Sequence, residues 1–265
     1  MLSEEEAIKA LVYDNVNVTE TNPLKDLMKI LFQLFVYIVI AYFFVFCLTG
    51  FIIKNLSTSQ QVWFENAIAN TSSVKTIEIS DVEKERLVRV RDLILNNDPN
   101  FPKTSALDIN IIKHKQLNAL CYPNGNIYIT DSLYKQLTTD EMLTFVISHE
   151  MAHYKNRDHL MNLRKNIASS FVILSFSLFG GEAADVSKVV SASLDLSDMK
   201  YSKHKEAEAD KYAALMNKKI YGSARGGVEA MKILKQTDYE SENDFDFLST
   251  HPSLNKRIKY LEAMK

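Results

Sequence analysis

Apolar and polar residues follow three different rhythms along this chain. From Ile30 to Ile53 they do not alternate at all: the run is apolar except at Gln33, Thr49 and Gly50. At 1.5 Å per residue such a run spans roughly 36 Å as a helix, enough to cross a bilayer with some tilt. A core helix of this kind would need a burial site hydrophobic on every side, so the pattern predicts a transmembrane helix over 30–53. The run is too long and starts too late for a cleavable signal peptide, and no small-residue cleavage site follows it. Lys25 and Lys29 precede the span and only Lys54 follows it closely, an asymmetry that favours the N-terminus inside. The larger C-terminal part then faces outward, into the periplasm or an equivalent space.

Before the span, Met1 to Pro23 is a polar tail with a helical patch at Ala7–Val12. After it, Ser80 followed by Glu83 reads as a capping box opening a helix from Asp81 to Leu95, which Asn96 to Pro102 stops. The rhythm then changes to short β-branched and aromatic segments at Leu107–Ile112, Leu117–Tyr122 and Asn126–Thr130. Pro123-Asn124-Gly125 supplies turn chemistry between the last two, and the three predict a small antiparallel sheet ending in a hairpin. Thr138 with Glu141 predicts a second capping box and a helix from about Thr139 to Arg157. Ile167–Gly181, about 15 residues, is too short to span comfortably and predicts a buried or membrane-skimming helix. Helical spacing returns at Lys200–Lys218, Ser223–Gln236 and Pro252–Met264, the last with proline in its first turn.

Charge and cysteine content narrow the function classes. In 265 residues, 31 Lys and Arg face 33 Asp and Glu, so there is no basic footprint for a nucleic acid. The two cysteines, Cys47 in the span and Cys121 in a predicted strand, do not pair, and Cys121 reads as an inert space-filler. The length suits one anchor and one domain: a polar tail over 1–29, the span over 30–53, a linker over 54–80 and a globular domain over 81–265.

The chemistry is concentrated in His149-Glu150-Met151-Ala152-His153. On a helix this H-E-x-x-H spacing puts two imidazoles one turn apart on one face, able to grip one zinc ion, with Glu150 beside the open coordination position. A carboxylate there can take a proton from a zinc-bound water and return it to a departing amine. Catalytic zinc needs a third protein ligand, and Glu206-Ala207-Glu208-Ala209-Asp210 offers it. Glu206 and Asp210 share a helix face, so Glu206 can reach the metal while Asp210 orients a ligating histidine. Glu208 points away, and His204, on another face, reads as a surface histidine.

These blocks carry a resemblance. The chain resembles the gluzincin family that includes the HtpX-type heat-shock proteases and the CAAX prenyl proteases. Asn118 to Thr130 is similar to that family's hairpin, His149–His153 to its zinc helix, and Glu206–Asp210 to its E-x-x-x-D. Ser249-Thr250-His251-Pro252-Ser253 with Arg257 is similar to its C-terminal T-H-P segment. The resemblance implies that His251 either steadies the oxyanion or occupies the open metal position in a resting state. Arg257 pairs with a site carboxylate or with solvent. The family's arginine near E-x-x-x-D is here Lys203 or Lys205.

The expectation is therefore an α+β, zincin-like domain, mostly helical with a small antiparallel sheet, tethered by one N-terminal transmembrane helix. It would bind one Zn(2+) per chain through His149, His153 and Glu206. It would hydrolyse protein or peptide substrates aligned on the edge of Ile127, Tyr128, Ile129 and Thr130. The biological role implied is quality control of envelope or membrane proteins. A membrane-bound chaperone or assembly factor with a closed zinc site is the competing expectation, and an anchored scaffold with a fortuitous motif the third.

Overall fold

The computed structural model describes residues 3–7, 22–69, 74–102, 107–180, 188–189, 201–236, 251 and 254–264. The Ala7–Val12 patch, the start of the Lys200 helix and the residues flanking His251 in the T-H-P segment fall wholly or partly outside them.

Helix α1, Pro23–Asn55, contains the apolar run and begins seven residues before it. Asn22 caps it by accepting from the Lys25 N–H, and the proline lies where its missing N–H costs nothing. No residue of α1 is buried, so the helix is long, apolar and exposed along its whole length, a candidate membrane span. Helix α2, Thr58–Ala69, occupies much of the stretch read as linker. Its start carries a signal that sequence reading passed over, Ser57 and Gln60, whose side chains each bond the other's backbone N–H.

Helix α3, Asp81–Asn97, opens with the Ser80–Glu83 capping box in both directions. Strands β1 (Ile109–Ile112), β2 (Ala119–Cys121) and β3 (Ile127–Thr130) follow, then the short helix α4, Asp131–Gln136. The sheet order is β1-β3-β2: β2 and β3 form the predicted antiparallel hairpin, but β1 runs parallel to β3, so the sheet is mixed. The chain crosses over from β1 to β2 before turning back, and short apolar runs do not encode that crossover.

Helix α5, Asp140–Lys155, carries the H-E-x-x-H motif. Its cap is Thr139, accepting from the Met142 N–H, not Thr138 paired with Glu141. Thr138 is unavailable because its backbone N–H bonds the Gln136 carbonyl and closes α4. The helix is also not amphipathic: every residue from Met142 to Tyr154 is buried. It is the central beam of the domain, with α3, α7 and α8 against it. At Gly227 of α8 (Arg225–Gln236) a Cβ would stand 2.4 Å from the Phe145 ring, so glycine sets the closeness of that crossing.

Arg157, at a left-handed φ of 55°, turns the chain from α5 into α6, Asp158–Gly180. That helix starts nine residues ahead of the second apolar stretch. Helix α7, Lys203–Tyr221, ends in Gly222 at φ 78°, the usual left-handed stop. Helix α9, Leu254–Ala263, closes the domain against α7 and α8.

Candidate metal centre

Three elements converge at the middle of α5. One helical turn separates His149 and His153, and their Nε2 atoms meet at 3.2 Å. From the first turns of α7, Glu206 brings one carboxylate oxygen to 3.5 Å from His149 Nε2 and the other to 3.4 Å from His153 Nε2. His251, just before α9, puts Nδ1 3.3 Å from His149 Nε2 and 2.9 Å from Glu206. All four side chains are buried, and their ligand atoms lie within 4.8 Å of one another.

Nitrogen lone pairs do not gather like this for their own sake. Around a tetrahedral zinc with bonds near 2.0–2.1 Å, neighbouring ligand atoms are about 3.3 Å apart. The imidazole spacings of 3.2 and 3.3 Å lie close to those edges, Glu206 approaches His149 and His153 at 3.5 and 3.4 Å through its two oxygens and His251 at 2.9 Å, and the donor set of imidazoles and a carboxylate suits zinc. The residues therefore fit a metal.

Three of the four candidate ligands, His149, His153 and Glu206, are held by neighbouring charged side chains. Asp210 Oδ1 lies 3.1 Å from His149 Nδ1, and Asp158 Oδ2 lies 2.9 Å from His153 Nδ1, which directs Nε2 of each ring inward. Arg257 donates to both oxygens of Asp210 at 2.7 and 2.8 Å, and its Nη1 is 2.6 Å from Glu206. The open question of Arg257 thus resolves to site carboxylates. Tyr201, just before the Ser202 cap of α7, stacks on the His153 ring at 3.8 Å and 7°.

Burial and charge tune these groups together. Burial tends to push the His149 imidazole down, but its Asp210 and Glu206 bonds outweigh that and hold it up at about 9. His251 goes the other way, to about 3, because burial outweighs Glu206. Glu206 is held far below the carboxylate range by His251, His149 and His153 despite its burial. The proton the centre retains is one a cation would replace.

Glu150 stands apart. Its carboxylate is fully buried, and neither oxygen has a hydrogen-bond partner among the described residues. Burial raises it to about 7, against the pull of His149 and His153. The nearest histidine contact is His251 Nε2, 3.7 Å from Oε1.

Two expectations for bystanders hold. The His204 side chain is 80% exposed and lies near Glu208, and Lys205 pairs with Glu208 at 2.9 Å. Lys205 also reaches Asp158 at 3.2 Å, so it steadies the residue behind His153.

One expectation fails. Ile127, Tyr128, Ile129 and Thr130 cannot offer a strand edge, because β3 lies between β1 and β2 and both its edges are bonded. The strand paired on one side only next to α5 is β2. Its Cys121 is buried, and burial together with the Glu150 charge drives the thiol pKa well up, in keeping with a space-filling role.

Sequence reading missed Asp158 and Tyr201. Asp158 stands among several charged residues near the end of the H-E-x-x-H helix with nothing in the sequence to single it out, and nothing there brings Tyr201 to the ring of a histidine 48 positions earlier.

The chain is 26% identical over 204 residues to the mitochondrial metalloendopeptidase OMA1 of Danio rerio, covering 71% of this chain and 42% of that protein. It is 29% identical over 154 residues to the Arabidopsis thaliana OMA1, covering 58% and 30%. With the human OMA1 it shares 23% over 166 residues, covering 59% and 32%. The chain thus spans less than half the length of these relatives. The family model for peptidase family M48 matches residues 82–265, every part of the centre included. That match covers well over half of the chain, which therefore belongs to peptidase family M48.

Proposed function

We propose that the chain is a membrane-anchored, zinc-dependent endopeptidase, with His149, His153 and Glu206 holding one zinc and Glu150 acting as general base. The observation that carries the reading is the pairing of a tetrahedrally spaced donor set with a buried carboxylate that no structural metal site would require. Bound zinc would supply Lewis acidity, lowering the pKa of a water and polarising the scissile carbonyl. Glu150, poised near neutrality, takes the proton of the attacking water and delivers it to the departing amine. Asp210 and Asp158 keep the two imidazoles oriented, and Arg257 holds Asp210 and Glu206 in place. An extended substrate would pair with the outer edge of β2.

His251 is read as the resting occupant of the fourth position, because it stands among the ligand atoms. It withdraws to admit water. The same observation favours a second reading, a non-proteolytic chaperone whose zinc stays closed. The HtpX-like and CAAX-like resemblance, the outward-facing domain and a role in membrane-protein quality control belong to the first reading. Support for them comes from the sequence blocks, from the lysines flanking α1, and from relatives that are named metalloendopeptidases.

The test is casein cleavage and zinc content of the full chain in detergent, native against Glu150→Gln. Zinc in both with cleavage only in the native protein is expected. If Glu150→Gln cleaves as fast as the native protein, Glu150 is not the base.

A further inference from the structure

Helix α6 leaves the metal centre at Asp158 and runs back along α1, in contact with it. Arg164, six residues along, reaches α1 and donates from Nε and Nη2 to the Phe46 carbonyl at 3.3 and 3.0 Å, with its guanidinium 4.2 Å from the Phe46 ring centroid. Residue 50, a glycine, leaves room for the guanidinium where it lies: a Cβ there would stand 2.2 Å from Arg164 Nη2, and the arginine would have to shift. Farther along, Ser169, Val172 and Ile173 share a cavity with Ile38, Val39, Tyr42 and Phe43. The two helices are therefore antiparallel neighbours over much of the apolar run.

Apolar side chains of α6 stay exposed among the described residues: Phe171 is 45% exposed, and Ile173, at the cavity shared with α1, is 52% exposed, continuous with α1, which has no buried residue. Hydroxyls on both helices bond back to their own carbonyls: Ser175 to Phe171, Ser177 to Ile173 and Thr49 to Val45. That is how such groups are satisfied where water is absent. Phe46 lies nine residues inside the end of α1, roughly 13 Å along the axis, and a cation at that depth belongs on a helix-facing side with a carbonyl and a ring to meet it.

We infer that α6 enters the lipid beside α1 as a second membrane-embedded helix, docked through Arg164 in the notch at Gly50, with acyl chains covering Phe171 and Ile173. The 14 residues from Ile167 to Gly180 reach roughly 21 Å, short of the ~30 Å hydrocarbon layer, so the helix dips into the bilayer without crossing it. Because the same helix begins at Asp158, the residue behind His153 is tied to the membrane by one continuous rod.

The inference rests on α1 being a membrane span, and the test separates the two. The full chain carrying Trp63→Phe is reconstituted in vesicles of phosphatidylcholine brominated on the acyl chains, with a single tryptophan introduced as Ile173→Trp, Phe35→Trp or Leu215→Trp. Loss of fluorescence at position 173 matching that at position 35, with none at position 215, is expected. Quenching at 35 without quenching at 173 overturns the inference alone, and no quenching at either overturns the span as well. The docking has its own readout in thermal melts. Arg164→Gln and Gly50→Leu should each lower Tm, and the double variant should fall no further than the worse single one. Full additivity would overturn the Arg164–Gly50 docking.

Discussion

The metal centre and the α1–α6 pair are built on opposite rules. At the centre, carboxylates, imidazoles and a guanidinium are all buried, and almost every one is satisfied by another charged group. Along α1 and α6, large apolar side chains are exposed, and Thr49, Arg164, Ser175 and Ser177 bond to backbone carbonyls. The first arrangement survives because mutual charge and hydrogen bonding offset the cost of burial. The second is the arrangement expected of helices that lie in lipid. Asp158 belongs to both, standing behind His153 at the point where α6 departs.

The sharpest way to break the contrast is at the centre itself. Glu206→Ala should abolish zinc retention on dialysis and, with it, cleavage, since removing one partner leaves several buried charges uncompensated; retention of stoichiometric zinc would mean that Glu206 is not a ligand. Glu150→Gln should keep zinc and lower kcat by about 10²–10⁴. Asp158→Asn should weaken zinc affinity by about 10–100-fold, read by chelator competition, with the fold intact by circular dichroism. An unchanged affinity would show that the hydrogen bond to His153 does not matter.

A smaller effect sharpens the comparison away from both regions. Asp98, at the end of α3, pairs with Lys155 of α5 and accepts from the Tyr212 hydroxyl of α7. Burial raises its carboxyl, but Lys155 and Tyr212 outweigh that and hold it below its ordinary value. A depressed carboxyl contributes stability that is present above its unfolded pKa and lost as pH falls through the folded one. Asp98→Asn should therefore cost about 1–3 kcal/mol at neutral pH and less in acid, measured by urea unfolding. His204→Ala should change nothing measurable, because the side chain is exposed and lies near Glu208.

How legible these parts were follows from how local their signals are. The apolar helix is one long run, and the candidate ligands sit at fixed spacing on two helices, so the helix over Ile30–Ile53 and the convergence of His149, His153, Glu206 and Asp210 were legible. The parallel β1 was not, since its direction depends on a crossover, and the error in the substrate edge followed from it. Thr139 rather than Thr138 caps α5 because α4 had already taken the Thr138 backbone. Asp158, Tyr201 and the Arg164–Gly50 docking each depend on a contact across the fold that leaves no periodic trace.

The central claim is a zinc held by His149, His153 and Glu206 with His251 in the fourth position at rest. X-ray absorption at the zinc edge of the purified full chain tests it most directly. The account predicts one zinc per chain with only nitrogen and oxygen neighbours at about 2.0–2.1 Å, three imidazoles among them, falling to two in His251→Ala. An absence of zinc, or a sulfur shell, would contradict it.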